Sequence, residues 1–360
     1  MSIKGRIFGT VVGAAGLAAA AGAVGVVRQN RVIGNRAAGE EVNFGELHSP
    51  ARVVVTDDAL DLHVEIDEPG DFGGRPATDH DLTVVFVHGY SLNLDCWHFQ
   101  RAAYRGEVRT VFYDQRSHGR SARSAEGGCT IDQLGHDLRR VIEDTVPGRC
   151  VVVGHSMGGM SIISLAEQYP EMFGDKVVGV ALLSTTAGGL DPGRILFPML
   201  PLGLGGRFMG RAVRTLDIGH RVVDVARGWG HAVADVVTDR YAFGTDDVPA
   251  SYVEFVYSML DATPFAVVAD FYPAFATLDK FEHLAPLGRV PTSIICGTED
   301  KITSVGHSRK LHSRITGSSL LECVGAGHMV LLEQHEEVTA ELDDLLSLAQ
   351  GEEPPRRVAT

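Results

Sequence analysis

The sequence is poor in cysteine and in basic residues for its length. It has five cysteines, an odd number, and their spacing suggests neither a zinc site nor a disulfide framework. We therefore predict that all five are structural, which favours a reducing compartment. Lysine and arginine total 32 against 46 acidic residues, so the net charge is −14. Because nucleic-acid binding needs a basic face, we expect no nucleic-acid partner.

Apolar residues are plentiful by contrast. They make up 44% of the 360 residues, which is enough for a sizeable core. The length fits one large domain that carries an insertion, once a segment at each end is set aside. At the carboxyl end, residues 350–360 are charged and contain proline, so we predict a disordered tail there.

Residues 1–36 have the composition of a membrane-directed segment. Residues 7–27 carry no charge and are long enough to cross a bilayer. Gly5, Gly9 and Gly13 would give a helix a face of small residues for packing. We therefore predict a membrane anchor, whose orientation is undecided because basic residues flank both sides. A signal peptide cleaved from a secreted protein, or a soluble extension, remains an alternative.

Apolar runs alternate with segments of helical periodicity along the rest of the chain. We predict strands at residues 52–56, 60–66, 82–87, 108–113, 149–153, 177–184, 292–297 and 319–324. We predict helices at residues 95–104, 131–145, 160–169, 304–315 and 328–348. Strands that alternate with helices form a mostly parallel, doubly wound sheet. The predicted fold class is therefore α/β, with a core of residues 51–185 and 278–349.

The alternation breaks over residues 186–277, where amphipathic helical pieces replace strands. This segment carries more large apolar side chains than a solvated loop would, among them Phe197, Leu200, Leu202, Phe208, Phe255, Met259 and Phe271. We predict a helical cap over the carboxyl ends of the strands, where some of these side chains would line an apolar substrate pocket. The alternative is that most of them pack into a small core of the cap itself.

The segment with the strongest functional signal is Gly154-His155-Ser156-Met157-Gly158. It follows a β-branched run and precedes a helix-compatible stretch, which is the setting of a nucleophile elbow. Glycines two residues either side of the serine carry no Cβ, so strand and helix can approach closely. Ser156 is therefore the predicted nucleophile, and the alternative is a plain tight turn.

A serine hydroxyl needs a base to take its proton. His328 directly follows the last predicted strand, in a loop where Gly325 and Gly327 provide backbone freedom. We predict that His328 is the base. The other candidates are His155, beside the nucleophile, and His307 and His335, which we expect on helix surfaces.

The base needs a carboxylate that orients its ring. Glu299 and Asp300 both follow the strand predicted at residues 292–297. We predict that Asp300 is the acid and that Glu299 is its rival. The alternative role for Asp300 is to cap the amino end of the next helix.

Stabilising the oxyanion of an ester reaction needs fixed N–H donors. We predict the backbone N–H of Met157, at the start of the elbow helix, and that of Tyr90, after the strand at residues 82–87. His88, Gly89 and His155 are predicted to contact the substrate, with His88 also bracing its loop by hydrogen bonds. We expect no metal.

Four motifs then occur in the order typical of one family. They are His88-Gly89, the loop of residues 114–121, the elbow at Ser156, and the pair Asp300 and His328. Over residues 52–348 the chain resembles the α/β-hydrolase superfamily, and within it the capped esterase, lipase and C–C hydrolase group. The loop resembles the family pattern Asp-x-Arg-Gly-His-Gly-x-Ser, except that Ser117 replaces a glycine. The resemblance implies hydrolysis through an acyl-enzyme without a cofactor.

We therefore expect a serine hydrolase that cleaves a carboxylic ester of an apolar small molecule. A serine at the elbow disfavours epoxide hydrolases and dehalogenases, which need a carboxylate there. C–C bond hydrolysis and cofactor-free perhydrolysis on the same triad remain alternatives. A non-catalytic, membrane-tethered binding protein is the alternative from another class.

Overall fold

The computed structural model describes residues 28–29, 32–33, 36, 42–70, 82–190, 238–245 and 247–352. Its framework is a single sheet of eight strands. They are β1 (Ala51–Val55), β2 (Asp61–Asp67), β3 (Leu82–Val87), β4 (Arg109–Tyr113), β5 (Arg149–His155), β6 (Val177–Leu183), β7 (Thr292–Gly297) and β8 (Ser319–Cys323).

The strand order is β1-β2-β4-β3-β5-β6-β7-β8. β1 and β2 form an antiparallel hairpin, and β2 also lies antiparallel to β4. The other neighbouring strands are parallel, so the predicted mostly parallel sheet is confirmed. β5, which carries the elbow, lies in the interior of the sheet between β3 and β6. Its carboxyl end therefore opens onto the middle of one sheet edge, where α/β proteins place their ligands.

Burial explains why the central strands are continuous apolar runs. Every residue of β3, β6 and β7 is buried. Parallel strands covered on both faces need continuous apolar runs, and these runs predicted the strands. β1, at the edge of the sheet, buries only Val54.

The helices are α1 (His98–Tyr104), α2 (Ile131–Thr145), α3 (Met157–Gln168), α4 (Ala250–Ala262), α5 (Phe265–Ala276), α6 (Val305–Arg314), α7 (Val330–Glu333) and α8 (His335–Gln350). The prediction of one last helix over residues 328–348 is wrong, because Gln334 (φ −129°, ψ 50°) separates α7 from α8. The predicted tail is wrong at Gln350, which is the last residue of α8. Gly351 ends this helix in the left-handed conformation, with φ 80°.

In the described part of the cap, residues 238–242 are helical, and the longer helices are α4 and α5. Met259, on α4, packs with the core cluster, and Phe271, on α5, packs against Met157 and Met160 of the elbow helix. The predicted helical character is confirmed for these two segments. Cap residues 191–237, with Phe197, Leu200, Leu202 and Phe208, lie outside the described residues.

The segment before β1 packs on both the cap and the core. Arg36 Nη1 lies 2.5 Å from the Asp239 carboxylate and also donates to the Val248 carbonyl, so residue 36 contacts the cap. The prediction that residues 1–36 lie wholly outside the folded domain is therefore wrong at Arg36. Phe44 stacks on Phe255 of α4, with ring centroids 4.2 Å apart, and meets Phe99 of α1 edge-on.

The predicted anchor at residues 7–27 lies outside the described residues and stays a prediction. Where the structure does describe helices, none is long and apolar enough to cross a membrane. All five cysteines are described, and each is free and buried. The prediction that they are structural agrees with this burial.

Candidate active site

Ser156 occupies the turn between β5 and α3, as the elbow pattern predicts. Its backbone has φ 52° and ψ −116°, a conformation that costs a non-glycine residue about 1–3 kcal/mol. A Cβ on Gly158 would clash with the Val87 carbonyl, and a Cβ on Gly154 would lie 2.6 Å from the Gly158 backbone. Only glycine therefore allows β3, β5 and α3 to approach so closely. The serine is presented at the carboxyl edge of the sheet.

The core strand beside β5 fixes this turn. Ser156 N donates to the Leu183 carbonyl of β6 at 2.9 Å. Thr185 Oγ1 donates to the Ser156 carbonyl at 2.6 Å. The strained backbone is therefore held by bonds from the end of the neighbouring strand.

The predicted base and acid lie in direct contact. His328 Nδ1 is 2.9 Å from Asp300 Oδ2, and both side chains are buried. The same carboxylate accepts the N–H groups of Ile302 and Thr303 and the Thr303 hydroxyl, at 2.8–2.9 Å. Burial alone would raise the pKa of the Asp300 carboxyl, but His328 and these donors lower it to about 2. Asp300 is therefore ionised at neutral pH.

Glu299, the rival acid, lies elsewhere. It is exposed, and its backbone N–H donates to the Ala326 carbonyl. The helix that Asp300 was expected to cap begins only at Val305, after an N-cap at Ser304. The geometry thus pairs Asp300, and not Glu299, with His328.

The two predicted oxyanion donors adjoin Ser156. A Cβ on Gly89 would lie 3.2 Å from Ser156 Cβ, so the loop that carries Tyr90 runs alongside the serine. Tyr90 Oη donates to the Val268 carbonyl of α5 at 2.6 Å, which ties this loop to the cap. Met157 is the first residue of α3, where a helix leaves its N–H groups without intrahelical acceptors.

A family model described as the alpha/beta hydrolase family matches residues 84–342 of the chain. The chain belongs to the alpha/beta hydrolase family. The hydrolase is 35% identical to Epoxide hydrolase 1 of Caenorhabditis elegans over 105 residues, which are 29% of this chain and 26% of that protein. The match thus spans about a quarter of that relative's length.

Two solved structures show the fold of the hydrolase over most of its length. The enol-lactonase from Burkholderia xenovorans is 23% identical, with a TM-score of 0.64, and the alignment covers 82% of this chain and 100% of that one. A thermophilic esterase from Thermogutta terrifontis is also 23% identical, with a TM-score of 0.63 and coverage of 84% and 99%. At this identity they establish the shared architecture, including the predicted α/β-hydrolase fold.

His155 of the hydrolase contacts the backbone of the predicted base. Its Nε2 donates to the His328 carbonyl at 2.9 Å, and the two rings lie 4.8 Å apart. Burial and the neighbouring His328 lower the pKa of His155 to about 3, so its ring stays neutral. Its contact with substrate stays a prediction, since the described contacts join it to His328 and Gly89.

His88 braces its loop, as predicted. Its Nδ1–H donates to the Gly89 carbonyl at 2.7 Å, and its Nε2 accepts the Gln115 N–H at 2.9 Å. The Gln115 side chain donates to the His88 carbonyl and accepts the Ser161 hydroxyl. Burial lowers the pKa of His88 to about 3. Both ring nitrogens are used within the protein, so neither is available to bind the predicted substrate.

The backbone of the loop of residues 114–121 shows why the family pattern has a glycine where this chain has Ser117. Ser117 has φ 66°, the left-handed conformation that favours glycine. Its hydroxyl accepts the Ser124 N–H at 2.9 Å, which helps hold the turn. Arg116 beside it forms a bidentate, buried pair with Asp137 at 2.6 and 2.7 Å. The substitution therefore falls on a structural turn.

Sequence reasoning missed three residues that support the site. Gln115 holds His88, Thr303 donates to Asp300, and Glu333 accepts the Gly327 N–H next to His328. Gln115 lies within a motif already identified, so its position was a usable signal. Thr303 and Glu333 carry no local signal. Among the described residues, no cluster of three histidine, cysteine or acidic side chains could hold a metal.

Proposed function

We propose that this hydrolase cleaves a carboxylic ester through an acyl-enzyme on Ser156, His328 and Asp300. The observation that carries the proposal is the buried 2.9 Å contact between His328 and Asp300. It is supported by His155, the residue before the strained serine, whose Nε2 donates to the His328 carbonyl. Because the Nδ1–H of His328 donates to the carboxylate, Nε2 keeps the lone pair that a base needs. The proton position follows from the ionised state of Asp300.

Each residue would then have one role. Ser156 attacks the ester carbonyl while His328 takes its proton, and the N–H groups of Tyr90 and Met157 bind the oxyanion. His328 returns the proton to the leaving alcohol. Water, activated by the same histidine, then releases the acid. Asp300 stabilises the imidazolium in both halves of the cycle.

The side chains around the elbow helix are apolar and buried. One apolar cluster joins that helix to α5 of the cap, and it contains Cys129, Ile131, Leu134, Met157, Met160, Val267, Phe271, Phe275 and Leu278. The names of the two structural neighbours, an esterase and an enol-lactonase, also favour an ester bond, since a lactone is a cyclic ester.

A series of p-nitrophenyl esters from acetyl to decanoyl tests this function. Each methylene that enters an apolar pocket adds up to about 0.8 kcal/mol, so kcat/KM should rise about fourfold per carbon. The rise should stop at a short to medium chain, because a capped pocket has a fixed depth. The Ser156→Ala variant supplies the background rate. A flat series, or a preference for charged acyl groups, would contradict an apolar ester substrate.

A further inference from the structure

Glu333 connects the predicted base to the cap. It is the last residue of α7, and its Oε1 accepts the Gly327 N–H at 2.7 Å, one residue before His328. Its Oε2 accepts the Gly244 N–H at 2.8 Å, in the cap segment that leads to α4. One carboxylate therefore holds two backbones that are 83 residues apart in sequence (327 − 244).

The two backbones are also in direct contact. A Cβ on Gly327 would lie 2.5 Å from Gly244 N, and a Cβ on Gly244 would clash with the Gly325 carbonyl. Next to them, Met329 N donates to the Ala242 carbonyl at 2.8 Å. A shift of the cap segment would therefore be transmitted to the loop on both sides of His328.

On the other side, the end of β7 closes the loop in. A Cβ on Gly297 would clash with the carbonyls of Ala326 and Gly327. The His328 loop is thus enclosed between a core strand, which leads to Asp300, and the cap segment held by Glu333.

Charged groups face Glu333 from several elements. Asp300 and His328 interact with it electrostatically, and Asp247 and His335 line a cavity of about 260 Å³ that Glu333 also lines. Burial raises the pKa of the Glu333 carboxyl to about 7, although its two N–H donors and His328 oppose this. Its ionisation therefore changes close to neutral pH.

We propose that Glu333 is a positioning residue that locks the His328 loop to the cap, with both oxygens engaged when it is ionised and only one when it is protonated. A protonated carboxyl keeps one good acceptor oxygen, so one of the two N–H groups loses its partner. The inference rests on the proposed role of His328 as the base. It adds that the base is held in place by the cap.

Glu333→Gln tests the lock because it keeps the length of the side chain but removes the second acceptor. We expect kcat to fall about tenfold at pH 8, with a smaller change in KM, because one N–H group loses its acceptor and the His328 loop is then less firmly held to the cap. Below pH 7 the Glu333 carboxyl of the wild type is itself protonated, so the ratio of wild-type to variant kcat should shrink toward one. Glu336→Gln, an exposed change in the first turn of α8, should leave the ratio near one at every pH.

Amide hydrogen exchange gives a readout that does not depend on catalysis. At pH 8 the segments that contain Gly244 and Gly327 should exchange faster in Glu333→Gln than in wild type, and Glu336→Gln should match wild type. Wild-type exchange and wild-type kcat in Glu333→Gln would overturn the proposal, as would a kcat loss of equal size at every pH. If exchange changes as expected but His328→Ala keeps full activity, the lock stands and the proposed function fails.

Discussion

The nucleophile and the base of this hydrolase are supported by different parts of the molecule. The backbone of Ser156 is held by Leu183 and Thr185, at the end of a core strand. The loop of His328 is held in part by the cap, through the bond from Met329 to Ala242 and through Glu333. The backbone of the nucleophile is therefore held by hydrogen bonds from the core, whereas the loop of the base is held by both the core and the cap.

This difference indicates how changes in the cap would affect the nucleophile and the base. Changes in the cap reach the elbow helix only through apolar packing, in the cluster that Met157 and Met160 form with Phe271, whereas they reach the loop of the base through hydrogen bonds. The oxyanion loop is intermediate, because Gly89 lies against Ser156 while Tyr90 Oη donates to α5 of the cap. A cap that moves would therefore act on the base and on the oxyanion loop through hydrogen bonds, and on the elbow helix through apolar packing.

The largest effects should come from removing the reacting groups themselves. Ser156→Ala and His328→Ala should each lower kcat by several orders of magnitude, and the double variant should be little worse than either, since the two act as a unit. Ester hydrolysis under matched conditions measures this. A fluorophosphonate probe should label wild type but not Ser156→Ala, and an unlabelled wild type would point to a non-catalytic binding protein.

The next effect concerns the acid on the base side. Asp300→Asn should lower kcat roughly 10³- to 10⁴-fold, because an amide no longer holds the imidazole in the tautomer that leaves Nε2 free. Glu299→Gln, one residue earlier and exposed, is the matched control and should change kcat little. Circular dichroism checks that both fold. The reverse ranking would move the orienting role to Glu299.

The smallest expected effect comes from comparing a glycine beside the nucleophile with a glycine in the cap segment. Gly158→Ala and Gly244→Ala each add one methyl group that clashes with a backbone carbonyl, of Val87 and Gly325 respectively. Overpacking of this kind costs about 1–3 kcal/mol, which urea unfolding can measure. Gly158→Ala should lower kcat with KM nearly unchanged, whereas Gly244→Ala should change both. Equal effects on KM would show that the nucleophile and the base are not separately supported.

Local patterns predicted most of the sheet and the elbow. Helix α2 runs over Ile131–Thr145, as predicted, because its ends are marked by the N-cap Thr130 and by a proline two residues beyond. The elbow at Ser156 was predictable because strand, turn and helix signals lie within a few residues. The pairing of Asp300 with His328 was predictable in order and position, since both follow strands that end at the same sheet edge.

The remaining features depend on contacts distant in sequence. Phe44 lies outside every predicted strand and helix, yet it packs on Phe255, more than two hundred residues later. The break at Gln334 comes just before His335, whose ring stacks on Phe99 at 3.8 Å, a tertiary contact that helix propensity does not contain. Glu333 has the same character, because its role depends on a cap glycine that no local pattern identifies.

The burial of every cysteine makes this hydrolase convenient for site-specific labelling. Burial raises the pKa of Cys150 and of Cys323 to about 12, and it raises the pKa of Cys96, Cys129 and Cys296 as well. The reactive form of a thiol is the thiolate, so the native cysteines are both inaccessible and unreactive at neutral pH. A cysteine introduced at an exposed position such as Glu254, on α4, would therefore react selectively with a fluorescent maleimide. A dye there would report on the cap while the native sequence of the core stays unchanged.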